Sequence, residues 1–137
     1  MTLYLDTSSL VKQYIDEGDS QTIRNLVSDA TVVATSVVTY TEARAVFARW
    51  RRERLTTAAA CAMAIRRFDL DWTSMLIIDV TEAVARSAGA LADRLNLRGF
   101  DAIQLACFEV LLARAEDEDV RFSSANVRLS NAAKKLG

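Results

Sequence analysis

Strand-sized apolar runs alternate with helix-length segments along the whole chain, and that alternation limits the fold more than any other feature. Leu3-Tyr4-Leu5 runs straight into Asp6, and Thr7-Ser8-Ser9 offers N-cap chemistry for a helix through Tyr14. After Glu17-Gly18-Asp19-Ser20, the residues Ile23, Leu26 and Val27 mark a helix face through about Ser28, and the β-branched run Thr31-Val32-Val33-Ala34-Thr35 follows as a strand. A third helix opens between Val37 and Thr41, with Ala43, Val46, Phe47 and Trp50 on one side. Thr56 or Thr57 caps a fourth, carrying Cys61, Ile65 and Phe68. Met75-Leu76-Ile77-Ile78-Asp79-Val80 reads as a strand, and Thr81 with Glu82 opens a helix marked by Val84, Ala88, Leu91 and Leu95. Gly99 breaks the chain before a helix starting at Asp101. Val120-Arg121-Phe122-Ser123 is the expected last strand, ahead of a short helix over 129–136. This pattern implies an α/β fold: a mainly parallel central sheet of about five strands or fewer, with helices on both faces. No repeat or linker interrupts it, so residues 1–137 read as one domain.

Composition narrows the chemistry. The chain contains no histidine, which excludes a Ser-His-Asp triad, a Cys-His nucleophile pair and a histidine general base. Two cysteines, Cys61 and Cys107, cannot build a cysteine-rich zinc site; lying within helices, they read as reduced core thiols. Catalysis therefore rests on carboxylates, hydroxyls, Lys or Arg, and any metal on oxygen ligands, which favours hard cations. The amino terminus lacks a basic n-region and meets Asp6 early, and no apolar run reaches transmembrane length, so no membrane association and a cytoplasmic protein are expected.

The net charge of −1 conceals a local asymmetry. Only Lys12, Lys134 and Lys135 are lysines, so arginine, suited to phosphate and bidentate pairing, dominates the 17 basic residues. Arg44, Arg49, Arg51, Arg52, Arg54, Arg66 and Arg67 face the single acid Glu53 across residues 44–67. Such a run fits a solvated helix face, and it equally supplies the basic rim that an acidic site needs to recruit phosphates.

Three acids stand out by context. Asp6 ends the first strand, Glu42 lies in the first turns of the helix after the second, and Asp101 opens a helix after Gly99. In parallel sheets ligands gather at this strand-end edge. Converged carboxylates raise each other's pKa unless a cation neutralises them, so the set suits Mg²⁺ or Mn²⁺. The same positions also fit plain structural roles: Asp6 and Asp101 as helix caps, Glu42 as a solvated helix residue. Other phosphate and metal folds fail on single residues. Ser8 stands where a haloacid-dehalogenase-type phosphatase needs its second Asp, and Leu10 where an integrin-type metal site needs its second Ser. A receiver domain's acidic pair and lysine are missing too.

Tyr4-Leu5-Asp6-Thr7-Ser8-Ser9-Leu10-Val11-Lys12 resembles the opening motif of the PIN-domain ribonucleases, especially VapC-type toxins of bacterial toxin–antitoxin pairs. Thr39-Tyr40-Thr41-Glu42-Ala43-Arg44 is similar to that family's glutamate motif, and Arg98-Gly99-Phe100-Asp101-Ala102-Ile103-Gln104-Leu105-Ala106 to its third, where Gln104 replaces a common His. In the fourth motif, Phe122-Ser123-Ser124-Ala125-Asn126-Val127-Arg128-Leu129, Asn126 stands where the family usually has Asp.

The resemblance implies a PIN-like domain that hydrolyses RNA with Mg²⁺ or Mn²⁺ and water. Asp6 and Asp101 would ligate the metal, Glu42 would bind directly or through water, and Asn126 would fill the fourth corner. Ser8 would contact a ligand or water, or simply cap the first helix. Asp117 to Asp119 would be a solvated turn at the far end of the last strand. Implied partners are RNA, a cognate VapB-type antitoxin and a second copy in a homodimer, with Arg44, Arg49, Arg51 and Arg52 as candidate RNA or antitoxin contacts. Because Asn126 carries no charge, the alternative is a PIN-like RNA- or partner-binding module with weak or no nuclease activity.

Overall fold

Successive side chains of a strand point to opposite faces, and the first strand uses both. In the computed structural model, which describes residues 1–116 and 119–136, strand β1 (Thr2–Leu5) is buried along its whole length. Leu3 and Leu5 enter one core with Ala43, Phe47, Trp50 and Phe68; Tyr4 enters the other with Ala34, Leu105, Phe108 and Leu129. A strand buried on both faces is the interior strand of a covered parallel sheet.

The elements follow in order: α1 (Thr7–Leu10) with a 3₁₀ turn over Val11–Gln13, α2 (Ser20–Asp29), β2 (Val32–Ser36), α3 (Val38–Arg52) and α4 (Ala58–Trp72). Then come β3 (Leu76–Ile78), α5 (Glu82–Leu95), α6 (Gly99–Arg114), β4 (Val120–Ser123) and α7 (Val127–Lys134). The sheet runs β3-β2-β1-β4, with every pairing parallel. Helices α3 and α4 supply the core on the Leu3/Leu5 face, and α5, α6 and α7 the core on the Tyr4 face. Among the described residues, no helix is long and apolar enough to cross a membrane. Cys61 and Cys107 are both free and buried, and Phe47 and Trp50 are core.

Three local expectations change. The first helix is not capped by the Thr7-Ser8-Ser9 hydroxyls but by Asp6, as its expected structural role had it, the carboxylate accepting from Ser9 N–H. Helix α6 begins at Gly99, with Arg98 at the N-cap, so Asp101 is a first-turn residue and caps nothing. The break before α6 is made by Asn96, which ends α5 in the left-handed region at φ 53°, a conformation Asn tolerates better than most residues. Gly99 has open space around its missing Cβ, so nothing there requires glycine.

Strand β1 lies between β2 and β4, so the chain winds outward to one side through β2 and β3 and returns on the other side with β4. The crevice between β1 and β4 at the carboxyl end of the sheet is the topological switch point, where such folds bind ligands. Asp6 and Ser124 follow β1 and β4 at that point.

Candidate active site

Asp6 leaves β1 at the switch point and is held from every side. Its N–H donates to the Ser123 carbonyl at 3.1 Å, which ties it to the end of β4. Oδ1 accepts from Ser8 Oγ at 2.7 Å and from Ser9 N–H at 3.0 Å; Oδ2 accepts from Ser124 Oγ at 2.6 Å. Only 4% of the residue is exposed. Burial raises the carboxyl pKa above its ordinary value and Asp101 adds to the rise, while the bonds from Ser124, Ser8 and Ser9 oppose it. Asp6 is thus both helix cap and an enclosed acceptor of three hydrogen bonds.

Glu42, one turn into α3, is half-buried and not a solvated surface residue. Its Oε1 accepts from Thr7 Oγ1 at 2.8 Å and from Gln104 Nε2 at 3.0 Å. Thr7 is the neighbour of Asp6, and Gln104 lies one turn beyond Asp101 on α6. These two bonds fasten the helix carrying Glu42 to the segments carrying the other two acids.

The Asp101 side chain has no hydrogen bond or ion pair among the described residues, yet it acts electrostatically on Asp6. Lys12, from the same motif as Asp6, is committed to Asp19 at 2.5 Å. Among the described residues, the edge therefore holds opposed carboxylates with no Lys or Arg paired to Asp6 or Asp101. Among the described residues, no three Asp, Glu or Cys side chains come close enough to enclose a metal by themselves. The donor set still fits a hydrated, oxygen-preferring cation, because Mg²⁺ keeps several waters and takes one or two protein carboxylates. Asp6 and Asp101 could hold it, with Glu42 one step behind.

At the fourth corner, sequence reasoning singled out Asn126 and missed Ser124. Asn126 is exposed and its Oδ1 caps α7 by accepting from Leu129 N–H at 3.2 Å. Its backbone N–H donates to Ser124 Oγ at 3.0 Å, the hydroxyl that donates to Asp6. Ser8 Oγ likewise accepts from Ala125 N–H at 2.9 Å, so both serines bridge the β4–α7 turn to Asp6. Of the acidic run, Asp117 and Glu118 lie outside the described residues. Asp119 adjoins the start of β4, its carbonyl accepting from Thr2 N–H, at the end of the sheet away from Asp6.

Helical geometry divides the arginines of α3. Residues seven apart share a face, so Arg49 lies on the stripe of Glu42, about 10 Å along the axis. Arg44, Arg51 and Arg52 line a cleft of about 410 Å³ with Ala48, Cys61 and Ile65 between α3 and α4. Arg44 is also held there, its Nη1 donating to Tyr40 Oη at 3.0 Å.

Comparison with known proteins adds four findings. The PIN domain family model matches residues 3–129. Ribonuclease VapC45 of Mycobacterium tuberculosis is 32% identical over 104 residues, spanning 76% of this chain and 72% of the relative. Solved structures with a similar fold include Mycobacterium tuberculosis VapC20, titled a sarcin-ricin loop cleaving toxin, at TM-score 0.64, 21% identity and coverage of 95% of this chain and 94% of that one. A toxin–antitoxin complex from Klebsiella pneumoniae matches at TM-score 0.61 and 19% identity, over 90% of this chain and 86% of that one.

Proposed function

The chain belongs to the PIN domain family, and from that premise we propose that it is a metal-dependent endoribonuclease, the toxin of a VapBC-type pair. In this reading it is a homodimer restrained by a cognate antitoxin. The carrying observation is the enclosed Asp6 carboxylate, opposed by Asp101, with no cationic side chain among the described residues paired to either. Asp6 and Asp101 would hold Mg²⁺ or Mn²⁺ directly, Glu42 would bind it directly or through water, and Asn126 would stand at the fourth corner beside Ser124. When bound, the cation supplies Lewis acidity and lowers the pKa of water at the scissile phosphate. The residues of this chain do the positioning. Ser8 and Ser124 fix the two oxygens of Asp6 by donating to them, and Thr7 and Gln104 fix one oxygen of Glu42. Arg49, on the stripe of Glu42, meets the RNA backbone, while the cleft of Arg44, Arg51 and Arg52 receives the acidic side of the antitoxin.

The neutral amide at Asn126 favours a second reading, a PIN-like module that binds RNA or a partner and cleaves weakly. Expression of the chain alone in a bacterial host separates the two. The nuclease reading expects growth arrest with accumulation of discrete RNA fragments, both relieved by Asp101→Asn. Arrest that persists in Asp101→Asn at equal soluble expression, without RNA fragments, supports the binding module.

A further inference from the structure

Gln104 is 2% exposed, and both ends of its amide are fully engaged. Its Oε1 accepts from Tyr4 Oη at 2.6 Å. Its Nε2 lies 3.0 Å from Thr39 Oγ1, 3.0 Å from Glu42 Oε1 and 3.3 Å from Thr7 Oγ1. Two N–H groups thus face three oxygens, one of them on a carboxylate. Exchanging the amide's O and N would set an oxygen against the Glu42 carboxylate, so the charge of Glu42 fixes which way the amide points. Thr39 extends the chain of contacts: Thr35 Oγ1 lies 2.7 Å from Thr39 Oγ1 and 2.7 Å from the carbonyl of Leu5, the residue before Asp6. The amide therefore joins β1, α1, α3 and α6 at one buried point. Glu42 Oε1 is held by two neutral donors, while no hydrogen bond among the described residues reaches Oε2.

We propose that Gln104 is a positioning residue for the reaction: it fixes the Glu42 carboxylate through Oε1 and reserves Oε2 for the hydrated cation and substrate. This rests on the nuclease reading of the same site. A neutral donor suits the task, because it orients Glu42 without cancelling the charge that a cation needs. Gln104→Met keeps the length and apolar burial but removes both halves of the amide. Outer partners of metal-binding groups typically contribute about 10- to 100-fold to affinity or activity.

The test is a double-mutant cycle between Gln104→Met and Glu42→Ala, read by kcat and KM on a short RNA and by Mn²⁺ affinity from calorimetry without RNA. The expected result is a kcat loss of about 10- to 100-fold for Gln104→Met with KM within about threefold, and Mn²⁺ binding weakened about tenfold. In the Glu42→Ala background, Gln104→Met adds less than about twofold to either. Equal losses in both backgrounds, or no loss in either readout, overturn the proposal. If Gln104→Met fails to fold, Tyr4→Phe takes its place, removing the hydroxyl that orients the amide; the same non-additivity is expected and its absence is equally decisive. A wild-type chain that binds Mn²⁺ but cuts no RNA refutes the nuclease reading and with it the role in the reaction, and the Mn²⁺ cycle then decides whether Gln104 orients Glu42 toward the cation. A wild-type chain that does neither overturns both.

Discussion

Asp6 is nearly enclosed, and enclosure raises the proton affinity of its carboxyl group, with Asp101 pushing the same way. Its native pKa therefore lies above the unfolded value. Above that native pKa the ionised group costs stability, and the cost falls as the pH drops through it. A divalent cation relieves the same cost without a proton. Calorimetric melting should find that Mg²⁺ raises Tm more at neutral pH than at about pH 5, by on the order of 10 °C at a hundredfold excess over Kd. Asp6→Asn should abolish the Mg²⁺ increment while leaving the metal-free protein at least as stable; an undiminished increment would remove Asp6 from the metal site. Asp6 and Asp101 are legible as single residues because each sits at a strand-end or helix-start edge. Ser124 is not, since serines are common and its bond to Asp6 spans 118 positions in sequence. The same holds for Gln104, whose partners Tyr4 and Glu42 come from distant segments.

At the scale of elements, turns and caps decide where the acids stand. Asn126 begins α7 by accepting from Leu129 N–H, so Asn126→Ala should lower stability by about 1 kcal/mol in urea unfolding. Asn126→Asp keeps the cap and adds a charge at the corner, so it should leave stability nearly unchanged and tighten Mn²⁺ binding; unchanged affinity would take Asn126 out of the site. Helix α3 presents two basic surfaces. Arg49→Glu should weaken RNA binding and make log K less steeply dependent on log salt, by roughly 0.7 for each phosphate that is no longer neutralised. Arg51→Glu with Arg52→Glu should leave RNA affinity intact and weaken an antitoxin, checked by titration with each partner. A fall in RNA affinity from the second pair would merge the two surfaces. Helix faces are readable from spacing, and Thr57 and Thr81 are the caps their positions suggest. Sequence points to Gly99 for the break before α6, yet Asn96 makes it, because a left-handed φ leaves little mark on sequence when Asn supplies it.

Across the whole molecule, strand order converts three distant motifs into one edge. Placing β1 between β2 and β4 brings Asp6, the serine-bearing turn after β4 and the starts of α3 and α6 to the carboxyl end of one parallel sheet. The alternation of strands and helices foretells the parallel sheet, its covered faces and the apolar side of each helix. It leaves the strand order open, since hydrophobic period reports burial and not neighbours. Lacking histidine, the protein has carboxylates, hydroxyls and amides at this edge, an oxygen-donor set of the kind that suits a hard cation. The most direct measurement is cleavage of a defined RNA pool by the purified protein with Mg²⁺ or Mn²⁺, with chelator, and with Asp6→Asn or Asp101→Asn. The expected result is divalent-dependent internal cleavage that falls to the chelated background with chelator and by at least about a hundredfold in either variant. Cleavage that persists undiminished in either variant or in chelator would contradict it.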